Sequence, residues 1–223
     1  MKIKNFTIYG ERCSGTNYLE LLVKKNFDLP VSWDYGWKHY FGFSDLSQSR
    51  ETLFLGIVRH PLDWINSLWN YPHHIVYSAK KNRDSFLNNR IWSIHDNGDT
   101  GEKHDFGKDN LQSFNLNEKN RPYDNIFELR RVKTEYLYYK MSFLVNNYYF
   151  IKYEDLKNNT DEILTIISRK FNLKLNNNTV QNIYSYKKEN KPFLNIQKNN
   201  EFTLNDIIDK IDINCERLIG YNL

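Results

Sequence analysis

The stretch that most restricts the fold is IKNFTIYGERCSGTNYLELLV, residues 3 to 23. Residues 3–9 carry the β-branched and aromatic residues of a buried strand and run directly into Gly10. After the loop, Tyr18, Leu19, Leu22 and Val23 recur at helical spacing. Strand, glycine loop and helix in this order open a nucleotide-binding α/β unit. Gly10 and Gly15 form a G-x-x-x-x-G frame, in which successive backbone N–H groups and a helix N-terminus can cradle an anion. A nucleotide hydrolase would follow that frame with Lys and then Ser or Thr, the lysine for the β- and γ-phosphates and the hydroxyl for magnesium. Here the two positions are Thr16 and Asn17, which argues against a magnesium-dependent NTPase. Cys13 does not start a phosphatase signature, because the arginine required six positions on is Leu19.

The rest of the chain extends the α/β pattern. A short aromatic segment, GWKHYFGF at 36–43, reads as a strand end, and LFLGIV at 53–58 reads as a central parallel strand. Pro61 sits at a helix start ahead of LDWINSLW, with Trp64 and Trp69 on its core side. Residues 73–125 are polar and aperiodic, an irregular insertion with one helix near 82–94. Regular structure is predicted to resume with a helix at 126–145 and a strand at 148–153. A further helix after Asn159 or Thr160 turns Ile163, Ile166, Ile167 and Phe171 to one face. A last helix opens on the capping box Thr203 and Asp206, continues through Leu204, Ile207, Ile208, Ile211, Leu218 and Ile219, and stops at Gly220.

With 223 residues, 40% of them hydrophobic and 16% aromatic, the chain suits one α/β domain spanning 1–223 rather than a disordered segment. A net charge of +4 suits an anionic ligand but falls short of a nucleic-acid-binding domain. Two cysteines, Cys13 and Cys215, are too few for a disulfide framework and lack metal-ligand spacing. The chain shows no apolar run of signal-peptide or transmembrane length, so a cytoplasmic setting is expected. The sequons at Asn5, Asn158 and Asn177 would matter only in a secreted protein.

Three segments in order resemble the sulfotransferases that use 3'-phosphoadenosine 5'-phosphosulfate. RCSGTN is similar to that family's 5'-phosphosulfate loop. VRHPLDWINSL, with Arg59, Pro61 and Ser67, is similar to the segment that holds the donor's 3'-phosphate. YEDL, Tyr153 to Leu156, resembles a third hallmark, and the terminal LIGY also recurs in the family. The resemblance covers residues 3–70 and 126–222. It implies a three-layer α/β/α fold with a central parallel sheet and a P-loop-like phosphate-binding loop. It also implies sulfuryl transfer to a hydroxyl without a metal.

Residue by residue, the resemblance places Arg12, Cys13, Ser14, Gly15, Thr16 and Asn17 around the 5'-phosphate, and Arg59 and Ser67 at the 3'-phosphate. Cys13 stands where many members have lysine, so Arg12 and Lys38 are expected to supply the charge at the transferred group. His39 is the expected general base, delivered by a second strand. Some glycan sulfotransferases have a glutamate two residues before this histidine, where this chain has Trp37. Lys187, Lys188 and Lys191 read either as a basic loop over the 3'-phosphate or as a solvated cluster. Lys80, Lys81, Arg83, Arg90 and Trp92 read either as a contact for an anionic saccharide or as a solvated helix face. The loop and KHYF are closer to the glycan branch, so the expected partner is a carbohydrate hydroxyl, with no nucleic acid and no membrane span. A kinase-like phosphotransferase and a non-catalytic nucleotide- or polyanion-binding module remain open alternatives.

Overall fold

The computed structural model describes residues 2–72, 75–92, 115–118, 121–186, 191–192 and 200–223. They form a mixed α/β structure that divides into two compact units, Met1–His60 with Leu137–Lys198, and Pro61–Tyr136 with Asn199–Leu223.

The first unit is built on a parallel sheet of three strands, β1 (Asn5–Tyr9), β2 (Thr52–Val58) and β3 (Tyr148–Lys152), with β2 in the middle. Every residue of β2 is buried, which accounts for its continuous apolar run. The register sets Tyr9 against Gly56, and Val58 against Lys152. Gly56 is required by a close approach: a Cβ there would overlap the Tyr148 hydroxyl, which donates to the Leu137 carbonyl at 2.5 Å. Helix α1 (Thr16–Asn26) follows the first strand and buries Leu19, Leu22 and Val23 against Phe6, Ile8, Leu55 and Ile57 in one hydrophobic cluster.

The expected strand at 36–43 is absent. The chain makes tight turns there, with Gly36 N–H donating to Trp33 O and Tyr40 N–H to Trp37 O. Gly36 and Gly42 have φ of +100° and +96°, values that break an extended run and that glycine adopts without a Cβ clash.

The second unit contains α2 (Pro61–Asn70), α3 (Arg83–Asn88) and α4 (Ile126–Glu135). Trp64 is buried and Trp69 half-buried, its ring edge-on to Phe86 and Phe202. Helix α3 is shorter than expected. Asn82 caps its start by accepting from Ser85 N–H at 2.8 Å, and Asn89 ends it in extended geometry before Ile91 bridges Tyr123. The helix expected at 126–145 is interrupted: after α4 comes a π turn, Tyr136–Lys140, and then α5 (Met141–Leu144) in the first unit.

Beyond β3 the first unit continues with α6 (Tyr153–Asn158) and α7 (Thr160–Lys170). On α7 the buried face is Thr160, Leu164 and Ile167. Ile163 and Phe171 flank it, whereas Ile166 is turned to solvent, one helical step off that face. Two two-residue strands, β4 (Ser185–Tyr186) and β5 (Lys191–Pro192), pair antiparallel.

In the second unit the Thr203–Asp206 capping box forms, but it caps a single 3-10 turn, Leu204–Asp206. The helix proper, α8 (Ile213–Leu218), begins later, where Asp212 accepts from Cys215 N–H at 3.0 Å. Leu218 is therefore exposed, while Ile207, Ile211 and Ile219 stay buried. Gly220, at φ +87°, ends the helix, with Tyr221 N–H closing back on Glu216 O. Arg130 of α4 and Glu216 of α8 form a two-pronged buried ion pair at 2.6 and 2.8 Å, with the guanidinium 5.2 Å from the Trp64 ring. Among the described residues no helix is long and apolar enough to cross a membrane.

Candidate functional site

The site lies in the first unit, where β1, β2 and β3 end on their carboxyl side. Gly10 follows β1 because nothing larger fits: a Cβ would stand 2.7 Å from the Ile57 carbonyl and 2.9 Å from Thr16 Cγ2. The loop then tightens, with Ser14 N–H donating to Glu11 O at 3.1 Å. Cys13 and Gly15 take the left-handed backbone region, φ +64° and +94°. Gly15 is the N-cap of α1. No side chain caps that end and no acidic residue lies in its first turn, while Lys24 and Lys25 fill the last. The uncapped N–H groups and the dipole of α1, with no acidic side chain to oppose them in the first turn, thus favour an anion at its start.

The register carries two further segments to the same edge. Because Val58 pairs with Lys152, the next residues along, Arg59 and Tyr153, are neighbours. The Arg59 guanidinium lies 4.9 Å from the centre of the Tyr153 ring and donates through Nη1 to the Cys13 carbonyl at 3.3 Å. The Tyr153 ring is packed on Gly15, so that a Cβ on that glycine would come within 2.8 Å of Cε2. Tyr18 of α1 meets the same ring edge-on at 6.2 Å. Glu154 accepts from His60 N–H at 2.9 Å. The three segments singled out in the sequence are therefore interlocked through Gly15, Cys13, Arg59, His60, Tyr153 and Glu154.

WKHYF reaches the loop without being a strand. Gly10 N–H donates to Lys38 O at 3.0 Å, and the carbonyl of the same glycine accepts from His39 Nδ1 at 2.7 Å. A carbonyl cannot donate, so Nδ1 carries the proton and Nε2 is left as the basic nitrogen of the neutral ring. Burial drives the His39 pKa well below the ordinary 6.5. Glu11 opposes that shift, and Arg12 and Lys38 reinforce it. The folded ring is thus neutral in a range where the unfolded ring is protonated, and stability drains away as pH falls below the unfolded value. The expected loss approaches roughly 1.4 kcal/mol per pH unit. Urea unfolding at about pH 7.5 and about pH 5.5 should show this acid loss in wild type and a shallower one in His39→Gln. Equal slopes in both proteins would mean that His39 protonates freely within the fold.

Arg12 is 3% exposed, and its Nη2 lies 3.1 Å from Glu11 Oε1, which also accepts from Arg12 N–H. Part of the charge expected from Arg12 is therefore matched by Glu11. Sequence reasoning passed over that carboxylate, and no local pattern marks it as buried. Lys38 extends to the first turn of α1, where its Nζ donates to Asn17 Oδ1. The side chain expected on the 5'-phosphate is engaged with the lysine instead.

Ser67 is buried in the second turn of α2, in the other unit. Of the insertion residues, Lys81, Arg83 and Arg90 are exposed, and Lys80 and Trp92 are half-buried. Arg83 pairs with Asp206, and Arg90 lies 3.9 Å from Asp124. Lys187 and Lys188 lie outside the described residues, and Lys191 is placed only as backbone in β5.

No protein-family model, no curated protein and no solved structure matches the chain.

Proposed function

We propose that the chain is a sulfotransferase, moving a sulfuryl group from 3'-phosphoadenosine 5'-phosphosulfate to a hydroxyl, on a three-layer α/β/α fold with a P-loop-like donor site. The observation that carries this reading is the interlock of RCSGTN, VRHP and YEDL at one end of the parallel sheet, through Gly15, Arg59 and Tyr153. Three segments read separately in the sequence meet where an open α/β sheet takes its ligands.

The residues present suit such a donor. The uncapped start of α1, with the backbone of Ser14, Gly15 and Thr16, would seat the 5'-phosphate. Arg59, already oriented by Tyr153 and the Cys13 carbonyl, would take the 3'-phosphate with its guanidinium fork. The donor supplies the sulfuryl group, and it carries less charge than a γ-phosphoryl group. Thr16 and Asn17 in place of Lys and Ser or Thr are consistent with transfer that needs no magnesium. Lys38, with Arg12, would offset the charge developing on the leaving phosphate. His39, with Nδ1–H fixed on Gly10, would present Nε2 to the proton of the attacking hydroxyl. A carbohydrate hydroxyl is the proposed acceptor, from the likeness of the loop and KHYF to the glycan branch.

Thermal unfolding with adenosine 3',5'-bisphosphate, ADP, or ATP plus magnesium tests the donor. At about 100 times its dissociation constant a ligand stabilises by roughly 2.7 kcal/mol. The bisphosphate is expected to stabilise selectively. Arg59→Ala should weaken it about 10- to 100-fold, the cost of losing a charge-assisted bond to phosphate. Stabilisation by magnesium-ATP alone would replace this reading with a phosphotransferase.

A further inference from the structure

A nucleotide-hydrolase loop draws its lysine from the loop itself, whereas here the cation comes from a separate segment and needs restraint of its own. Both ends of Lys38 are held. Its carbonyl accepts from Gly10 N–H, and the next residue, His39, bonds back to Gly10 O. At the other end Nζ donates to Asn17 Oδ1 and lies 3.7 Å from Glu20 Oε2. Asn17 and Glu20 are three apart on α1 and share a face. Glu20 keeps its other oxygen on Lys24 at 2.6 Å, on the solvent side. The rings of Trp33 and Trp37 lie 5.9 and 5.8 Å from the ammonium, and the lysine side chain is only 12% exposed.

We propose that Asn17 and Glu20 are positioning residues that anchor the Lys38 ammonium at the first turn of α1, so that the Asn17 side chain serves the lysine and not the donor's phosphate. A lysine carries a compact charge on a flexible four-carbon stem, and it acts at a defined point only when its head group is held. An amide oxygen, a carboxylate and two indole rings together hold it. What the ammonium does there rests on the donor-site reading above. Where it is held does not.

Two measurements separate these points. The first is ligand-free acetylation of Lys38 by N-hydroxysuccinimidyl acetate, followed by mass spectrometry, with exposed Lys2 in the same molecule as the standard. Asn17→Ala and Glu20→Gln are each expected to speed Lys38 labelling by at least about threefold relative to Lys2, since each removes one hydrogen-bonding or ionic partner of the amine. Unchanged labelling in both variants overturns the anchor, whatever the donor proves to be. The second is a transfer assay on Lys38→Ala, Asn17→Ala and the double variant. Asn17→Ala should lower turnover roughly tenfold, with bisphosphate affinity kept within about threefold, and the double variant should be no slower than Lys38→Ala alone. Fully additive losses, a rise in turnover in Asn17→Ala, or a loss confined to bisphosphate affinity would each overturn the positioning role. If wild type binds no bisphosphate, the donor reading fails, and the labelling result by itself decides the anchor.

Discussion

Gly15→Ala is expected to lower the stability of the chain by about 3–4 kcal/mol, from a left-handed backbone penalty and a steric overlap. The residue sits at φ +94°, where an L side chain is strained, and a methyl group would land on the Tyr153 ring. The ring has little room to retreat, with the Arg59 guanidinium 4.9 Å from its centre and the Tyr18 ring edge-on to it. Urea unfolding of Gly15→Ala and of Gly15→Ala/Tyr153→Leu separates the two contributions. The double variant should regain the steric part and keep a residual deficit of about 1 kcal/mol from the backbone. A single variant as stable as wild type would show that the loop is not packed on α6 in this way. Bisphosphate binding should fall alongside stability in Gly15→Ala, because displacing the ring also displaces the platform under Arg59.

The second large effect lies away from the site. Glu216→Leu strips the Arg130 guanidinium of its carboxylate while both positions remain buried, at 4% and 2% side-chain exposure. Breaking a buried pair from one side typically costs about 3–5 kcal/mol, because the remaining charge was desolvated against its partner. The double variant Arg130→Met/Glu216→Leu removes both charges and should recover most of that loss, since apolar side chains of similar volume replace the pair. Thermal unfolding of wild type, Arg130→Met, Glu216→Leu and the double variant gives the coupling, and additive losses would show that the two side chains act independently. The thiol beside this pair, Cys215, is pushed up to about 12, first by burial and then by Glu216, and stays a protonated core group.

The elements that were legible share one property: their signals are local. β1, the glycine loop and the start of α1 follow from a β-branched run, two glycines and apolar residues at helical spacing. β2 follows from an unbroken apolar run, and the first turn of α2 from a proline at its N-terminus. Even the capping box was correctly placed, because Thr203 and Asp206 find each other within one turn. The failures mark where local rules stop. The aromatic run at 36–43 has strand composition, but Gly36 and Gly42 turn it, and a segment tied to the loop by two hydrogen bonds of Gly10 needs no strand pairing. The last helix was expected nine residues early, because a good cap does not say how long the helix after it will run.

The sequence alone determined the strand–loop–helix beginning and the buried central strand, and it singled out three short segments that the fold brings to one edge of the sheet. Tertiary structure alone decided how those residues are spent. Asn17 meets Lys38 across 21 positions, and Glu154 meets His60 across 94. Glu11 becomes a buried partner of Arg12, and Tyr153 becomes the surface on which Gly15 and Arg59 rest. Propensity and capping act over one helical turn or one strand pair. The contacts of Tyr153 and Glu154 with Gly15, Arg59 and His60 depend instead on the parallel register that brings the ends of β1, β2 and β3 to one edge, a property of the assembled sheet and of no single segment.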